Sequence, residues 1–282
     1  MTAPLPPSRP LLAVGVLPRS PVTGCLCAGV QAPRVASTEQ AYAVQDAMIT
    51  ASDELGLGAV YGWKTGTAPL FECGRWADGA TISYPGLKVS AMEGEVGLIF
   101  AKDLPPRSAA YTEDEIFDAV GSGAMVIEVC RSSYDKAWGP TPHQVTPRPL
   151  LKLPPWPAPE QMINRQAMAD VNNNAGVVIG GGFDAATARE LCGGAVISIS
   201  ANGTELVKSQ AVAGGVDPRA NIVEVVNDLS ARGHTLKAGE LVITGAVAVT
   251  TECKEGDHVV VSYEGLGEVS CTLGGMALSA SL

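Results

Sequence analysis

Several chemistries are excluded by what the sequence has little of. Its 282 residues hold only three histidines, His143, His234 and His258, too far apart for a local zinc-ligand spacing. The seven cysteines are an odd, scattered set without a C-x-x-C pair. That is a poor disulfide framework, and free thiols suit a reducing cytoplasm. No apolar run approaches the roughly 18 residues of a membrane helix. Leu11 to Leu17 is cut short by Pro18 and Arg19 and is followed by no cleavage site, so residues 1–36 read as an N-terminal extension rather than a signal peptide. Basic side chains number 19 against 29 acidic ones, a net charge of −10 with no Lys/Arg cluster. Neither nucleic acid nor a membrane is therefore an expected partner. A hydrophobic content of 46% excludes a disordered chain. What remains is an enzyme or a small-molecule binder with a substantial core.

Local signals point to short strands interleaved with a few helices. Ser37 with Gln40 forms a capping-box pattern, and Ala41, Val44, Met48, Ala51 and Leu55 supply a helical stripe that Gly56 and Gly58 end. Extended runs follow at 59–63, 81–89 and 95–100. Thr112 with Glu115 opens a short helix, and the apolar strand 125–130 comes after it. Residues 139–159, dense in proline, read as a long loop over a surface. Beyond it the pattern predicts helices at 160–168, 185–191 and 222–229, and strands at 176–179, 195–200, 205–210, 241–244, 258–263 and 268–273. Asn202-Gly203 marks a hairpin between two of these strands. Strands outnumber helices and recur with hairpin turns, which predicts an α+β fold on a curled antiparallel or mixed sheet.

Three motifs mislead. Gly180-Gly181-Gly182 with Ala185 satisfies the dinucleotide fingerprint, but the next strand turns back as a hairpin where a nucleotide-binding unit alternates strand and helix. Ser133-x-x-Lys136 and Lys64-Thr65-Gly66 imitate two penicillin-recognising motifs in the reversed chain order. A G-x-S-x-G elbow is missing altogether.

The informative residues are acidic. Glu93 and Glu95, two apart in an extended run, project from one face. Glu128 interrupts the apolar run Met125 to Cys130, where a buried charge needs a partner. Three converging carboxylates suit Mg²⁺ or Mn²⁺. The plainer alternative puts Glu93 and Glu95 on a solvated outer face and pairs Glu128 with a Lys or Arg. Lys64, between Trp63 and a Gly turn, either caps a sheet edge or is a desolvated amine with a lowered pKa.

Taken in order, Ala41-Tyr42-Ala43-Val44-Gln45, Gly62-Trp63-Lys64-Thr65-Gly66, Glu93-Gly94-Glu95, Asp103-Leu104-Pro105, Ile127-Glu128-Val129 and Gly233-x-x-Leu236-x-x-Gly239-x-x-x-x-Thr244-Gly245 resemble the 2-keto-4-pentenoate hydratases. These belong to the fumarylacetoacetate hydrolase superfamily, which also holds oxalocrotonate decarboxylases and C–C bond hydrolases. The resemblance implies a mixed β-sheet roll with peripheral helices, in a single catalytic domain over 37–282. It implies Mg²⁺ or Mn²⁺ on Glu93, Glu95 and Glu128, catalytic Lys64 and Asp78 moving protons, and Asp170 and Thr244 beside the substrate. The implied reaction is a hydro-lyase step of aromatic-compound catabolism, in which water adds to a 2-hydroxy-2,4-dienoate. Decarboxylation of a 2-oxo diacid, C–C hydrolysis, and a companion subunit without turnover are the alternatives. A homo-oligomer is expected by analogy. The chain departs from the pattern at Met92, Ser133, Val171 and Asp217, positions around the substrate rather than the metal.

Overall fold

The computed structural model describes residue 35 and residues 37–83, 89–131, 165, 167–212 and 217–274. Most of the N-terminal extension, the proline-dense loop, Cys25, Cys27, His143, Ser133 and Lys136 lie outside the described residues. Helix α1 (Thr38–Thr50) starts where Ser37 accepts a hydrogen bond from the Gln40 N–H at 3.2 Å. A complete capping box opens α2 (Glu113–Phe117). Helix α3 (Ala185–Leu191) starts from Asp184, and α4 (Pro218–Ala231) from Asp217, whose carboxylate accepts from the Arg219 and Ala220 N–H groups just beyond Pro218.

The core is two packed sheets. The larger one runs, in spatial order, β2 (Ala68–Phe71), β1 (Val60–Lys64), β10 (Leu241–Ile243), β5 (Val89–Phe100), β6 (Val120–Arg131), β7 (Asn174–Asp184) and β3 (Arg75–Ala77), with β11 (Ala248–Thr250) also pairing β5. The smaller runs β4 (Ala80–Ile82), β13 (Gly267–Leu273), β12 (His258–Tyr263), β8 (Val196–Ala201) and β9 (Thr204–Gln210). Parallel and antiparallel pairs occur in both, so the sheets are mixed as well as curled. The β8–β9 hairpin turns at Asn202 and Gly203 with φ of 50° and 80°, the paired left-handed geometry this dipeptide favours.

The long antiparallel pair β5–β6 is the spine of the molecule and is buried along most of its length. One of its faces packs against the smaller sheet, through Met92, Val96, Ile127 and Val129 with Ile197 and Val261. The other face lines the concave side of the larger sheet with Val126, Ala124, Tyr61 and Ile243. Gly94 settles which side the flanking glutamates take. A Cβ there would stand 2.7 Å from Ile197 and 2.8 Å from Val261, so the strand can press onto the smaller sheet only with glycine at that point. Glu93 and Glu95 then face the concave side by alternation.

Two expected elements differ. The run 81–89 is not one strand: β4 ends at Ile82, and β5 begins at Val89 beyond residues outside the described set. Gly180-Gly181-Gly182 lies within β7, hydrogen-bonded to β6, and forms no phosphate loop. Among the described residues no helix is long and apolar enough to cross a membrane.

Candidate metal centre

Glu93 and Glu128 are direct cross-strand partners in the β5–β6 ladder, so their carboxylates emerge side by side. Glu93 is 6% exposed, Glu95 1% and Glu128 0%, so these are not surface carboxylates. The alternative of a solvated outer face is thereby excluded. Lys64, at the end of β1 and 3% exposed, reaches across the concavity and donates to Glu128 Oε1. Sixty-four residues separate the two partners, which meet across the curled sheet through the β1–β10, β10–β5 and β5–β6 pairings. Asn174 Nδ2 donates to the same Oε1 at 2.8 Å. Glu128 Oε2 is buried and accepts no hydrogen bond from the described residues. An orphaned carboxylate oxygen buried among other carboxylates is a position for a cation.

The site is electronegative even with its lysine in place. Burial first, then Glu128 and Glu93, holds the Glu95 carboxyl well above the usual carboxylate range, against the opposing pull of Lys64 and the Gly245 N–H. For Lys64 the largest influence, burial, acts to lower its pKa, but Glu128, Cys130, Glu93 and Glu95 together raise it above the ordinary lysine value. Of the two readings of Lys64, the lowered-pKa amine is the one this balance opposes, because the buried Glu128 counter-charge favours the ammonium form.

The residues expected at the site are not all gathered there. Oxygens of Glu93 and Glu128 and the sulfur of Cys130 lie within 4.8 Å of one another, a grouping capable of holding a metal ion. Glu95 stands next along the same face, with Oε2 accepting from the Gly245 N–H at 2.8 Å. Asp78 is exposed and turned elsewhere. Its Oδ1 accepts from the Ser270 N–H at 2.8 Å and from Ser270 Oγ at 3.1 Å, tying the two sheets together. Through the ladder Arg75 pairs Val177 and Val177 pairs Glu128. Asp78 follows the end of β3, a strand that the ladder places two strands from Glu128. It is a turn residue whose described hydrogen bonds go to Ser270. Thr244 is fully buried and spends its hydroxyl on the Val96 carbonyl at 3.0 Å. That bond sits beside the Gly245 N–H that donates to Glu95.

Asp170 is buried at the start of a turn of unusual backbone. Val171, Asn172 and Asn173 take φ of 44°, 55° and 62° in succession. A β-branched residue there costs about 1–3 kcal/mol, strain of the kind that clusters at functional sites. The turn presents the Asn172 carbonyl to Lys64 Nζ at 3.2 Å, while Asn172 Nδ2 donates to the Thr65 carbonyl at 3.0 Å. Behind Glu95, the Tyr263 hydroxyl donates to the Glu95 carbonyl and contacts the backbone of Val126. Sequence reasoning missed Asn172, Asn174 and Tyr263. The Asn172-Asn173-Asn174 run was the available signal, since asparagine tolerates left-handed backbone best after glycine. Asn174→Ala is expected to weaken divalent-cation binding by about 10- to 100-fold, the usual loss when a metal ligand's supporting hydrogen bond is removed. Titration calorimetry on chelator-treated protein reads this directly, and an unchanged affinity would remove Asn174 from the site.

The described histidines are remote. His234 packs against Trp63 at a tilted 49° with ring centroids 5.4 Å apart and lies 3.1 Å from Asp46, whereas His258 is exposed on β12.

A model of the fumarylacetoacetate hydrolase C-terminal family matches residues 75–273. Among curated proteins, a 4-oxalocrotonate decarboxylase of Pseudomonas putida is 32% identical over 77 residues, which is 27% of this chain. That match spans only 28% of the relative's own length. Among solved structures, 4-oxalocrotonate decarboxylase from Pseudomonas putida G7 complexed with magnesium and adipate has a TM-score of 0.60 at 16% identity, covering 86% of this chain and 100% of that one. The same enzyme complexed with calcium and acetate has a TM-score of 0.60 at 17% identity, with the same coverage. At these identities the structural likeness establishes the fold.

Proposed function

The chain belongs to the fumarylacetoacetate hydrolase family, and from that premise we propose that it is a divalent-metal-dependent lyase of small 2-oxo acids, decarboxylating an oxalocrotonate-like 2-oxo-enedioate. The observation that favours this choice is the buried Lys64–Glu128 ion pair, which holds an N–H donor at the site. Decarboxylation asks for an electron sink and a proton donor, both compatible with an ammonium beside acidic ligands. Hydration or C–C hydrolysis asks in addition for a group that takes a proton from water. His234, His258 and Asp78 are all turned elsewhere.

Glu93, Glu95 and Glu128 would hold Mg²⁺ or Mn²⁺, which when bound supplies a Lewis acid for the 2-oxygen of the substrate. The chain's own residues do the rest. The bond from the carbon chain to the distal carboxylate breaks, CO₂ departs, and the electron pair passes through the conjugated alkene to the 2-oxygen. Lys64 Nζ, fixed by Glu128 and the Asn172 carbonyl, directs an N–H to that oxygen and protonates it, giving a 2-hydroxy-2,4-dienoate. Burial of the surrounding strands keeps water from competing for these charges.

A second reading, hydration of that dienoate, is supported by the motif order from Ala41 to Leu273, which resembles hydratases. One experiment separates the two. Chelator-stripped protein resupplied with Mg²⁺ or Mn²⁺ is offered the 2-oxo-enedioate and, separately, 2-hydroxypenta-2,4-dienoate, with CO₂ release and ultraviolet absorbance followed together. The expected result is metal-dependent CO₂ release from the diacid, with dienol accumulating. Conversion of the dienol to 4-hydroxy-2-oxopentanoate, without CO₂ from the diacid, assigns the hydratase instead. No turnover of either compound by metal-loaded protein overturns both.

A further inference from the structure

We propose that Gln45 is a positioning residue for Lys64: one buried side-chain amide ties together the two loops that hold the lysine. The inference deepens the reading above, in which Lys64 is the proton donor, and gives a role to the Ala41-to-Gln45 motif that the metal centre leaves unused. Gln45 lies on α1 and is wholly buried, a costly place for an amide unless its polar atoms are satisfied. Its Nε2 donates to the Met168 carbonyl at 2.8 Å, and its Oε1 accepts from Arg232 Nη1 at 3.2 Å. Each partner leads to one side of Lys64. Met168 stands four residues before Asn172, whose carbonyl accepts from Lys64 Nζ. Arg232 Nη1 also donates at 3.0 Å to the carbonyl of Thr67, the last residue of the turn that follows Lys64.

Both loops need outside support. Thr67 has a φ of 52°, and residues 171–173 are left-handed in succession, a backbone that persists only where its neighbours over-determine it. The same face of α1 supplies more of that support. Tyr42, one turn before Gln45, donates to Asp228 Oδ2 at 2.6 Å, and Thr67 Oγ1 donates to that same oxygen at 3.0 Å. Asp46 accepts from Arg232 Nη2 at 2.6 Å and so keeps the guanidinium between Gln45 and Thr67. The metal-site glutamates are held separately, by the β5–β6 ladder. Loss of the Gln45 amide should therefore displace the proton donor and leave the carboxylates in place.

The test is Gln45→Met in the full chain, stripped with chelator and resupplied with Mn²⁺. Methionine keeps the volume and deletes both hydrogen bonds. On whichever of the two acids the parent turns over, kcat should fall by about 10- to 100-fold, the loss that a misplacement of about 1 Å brings. KM and Mn²⁺ affinity should stay near the parent's. Hydrogen–deuterium exchange read by mass spectrometry needs no turnover: residues 64–67 and 168–173 should exchange faster together, while β5–β6 keeps the parent's protection. Gln45→Glu retains an acceptor for Arg232 but no donor for the Met168 carbonyl, so it should loosen 168–173 and spare 64–67. Parent-like kcat or parent-like exchange in Gln45→Met overturns the inference. So does a loss of protection that extends equally to β5–β6, which would make Gln45 an ordinary core residue. A parent that turns over neither acid overturns the lyase reading alone, and the exchange result then decides whether Gln45 holds the lysine loops.

Discussion

Lys64→Met is expected to lower the stability of the metal-free protein by about 3–5 kcal/mol, because removing one partner of a buried ion pair strands the other. Methionine keeps most of the stem volume, so the loss is electrostatic rather than a cavity effect. The stranded group is Glu128, with Glu93 and Glu95 close enough to raise one another's cost. A divalent cation should then become more important to folding than in the parent. At about 100 times its dissociation constant it returns about 2.7 kcal/mol. Urea unfolding with chelator and with Mn²⁺ measures both quantities. In the metal-loaded variant kcat should fall by about 10²- to 10⁴-fold, the range for losing a positioned proton donor. Equal stability of variant and parent in chelator would mean that Lys64 does not neutralise the carboxylates.

Glu128→Gln acts on the same pair from the other side, with a different outcome. The ammonium retains Glu93 and Glu95 nearby, so the variant should fold with a smaller penalty than Lys64→Met. Its effect falls on the metal. Glu128 supplies the orphaned Oε2, and its other oxygen carries the bonds to Lys64 and Asn174. A neutral amide removes the charge and reverses one of these contacts, since its NH₂ cannot accept from a donor. Divalent-cation affinity should drop by more than about 100-fold, beyond the loss expected for a supporting residue, and turnover should vanish with it. Calorimetry and the CO₂ assay read the two together. Parent-like binding by Glu128→Gln would place the metal elsewhere.

The contrast between these variants shows what the sequence could and could not convey. Glu93-Gly94-Glu95 was legible because strand alternation is local: two carboxylates share a face, and the glycine between them admits the other sheet. Glu128 stood out as one charge in an apolar strand. Helix starts at Ser37 and Thr112 and the turn at Asn202-Gly203 were legible for the same reason, since capping and turn chemistry act within a few residues. The partner of Glu128 was not. It lies three strands away in the curled sheet, and nothing within a strand's length of Glu128 encodes that contact.

The hydrogen-bond partners of Asp78 and Thr244 were hidden for a related reason. Residue type and chain order suggested a role, but the hydrogen bonds to Ser270 and Val96 depend on tertiary neighbours.

The most direct test of the account is a Mn²⁺ titration of chelator-stripped wild-type protein, with heat of binding and melting temperature recorded together. One ion bound per chain, with a melting temperature that climbs as the site fills, is the predicted result. The absence of saturable binding, with melting unchanged by Mn²⁺, would contradict it and leave Glu93, Glu95, Glu128 and Lys64 as a buried charge cluster without a metal.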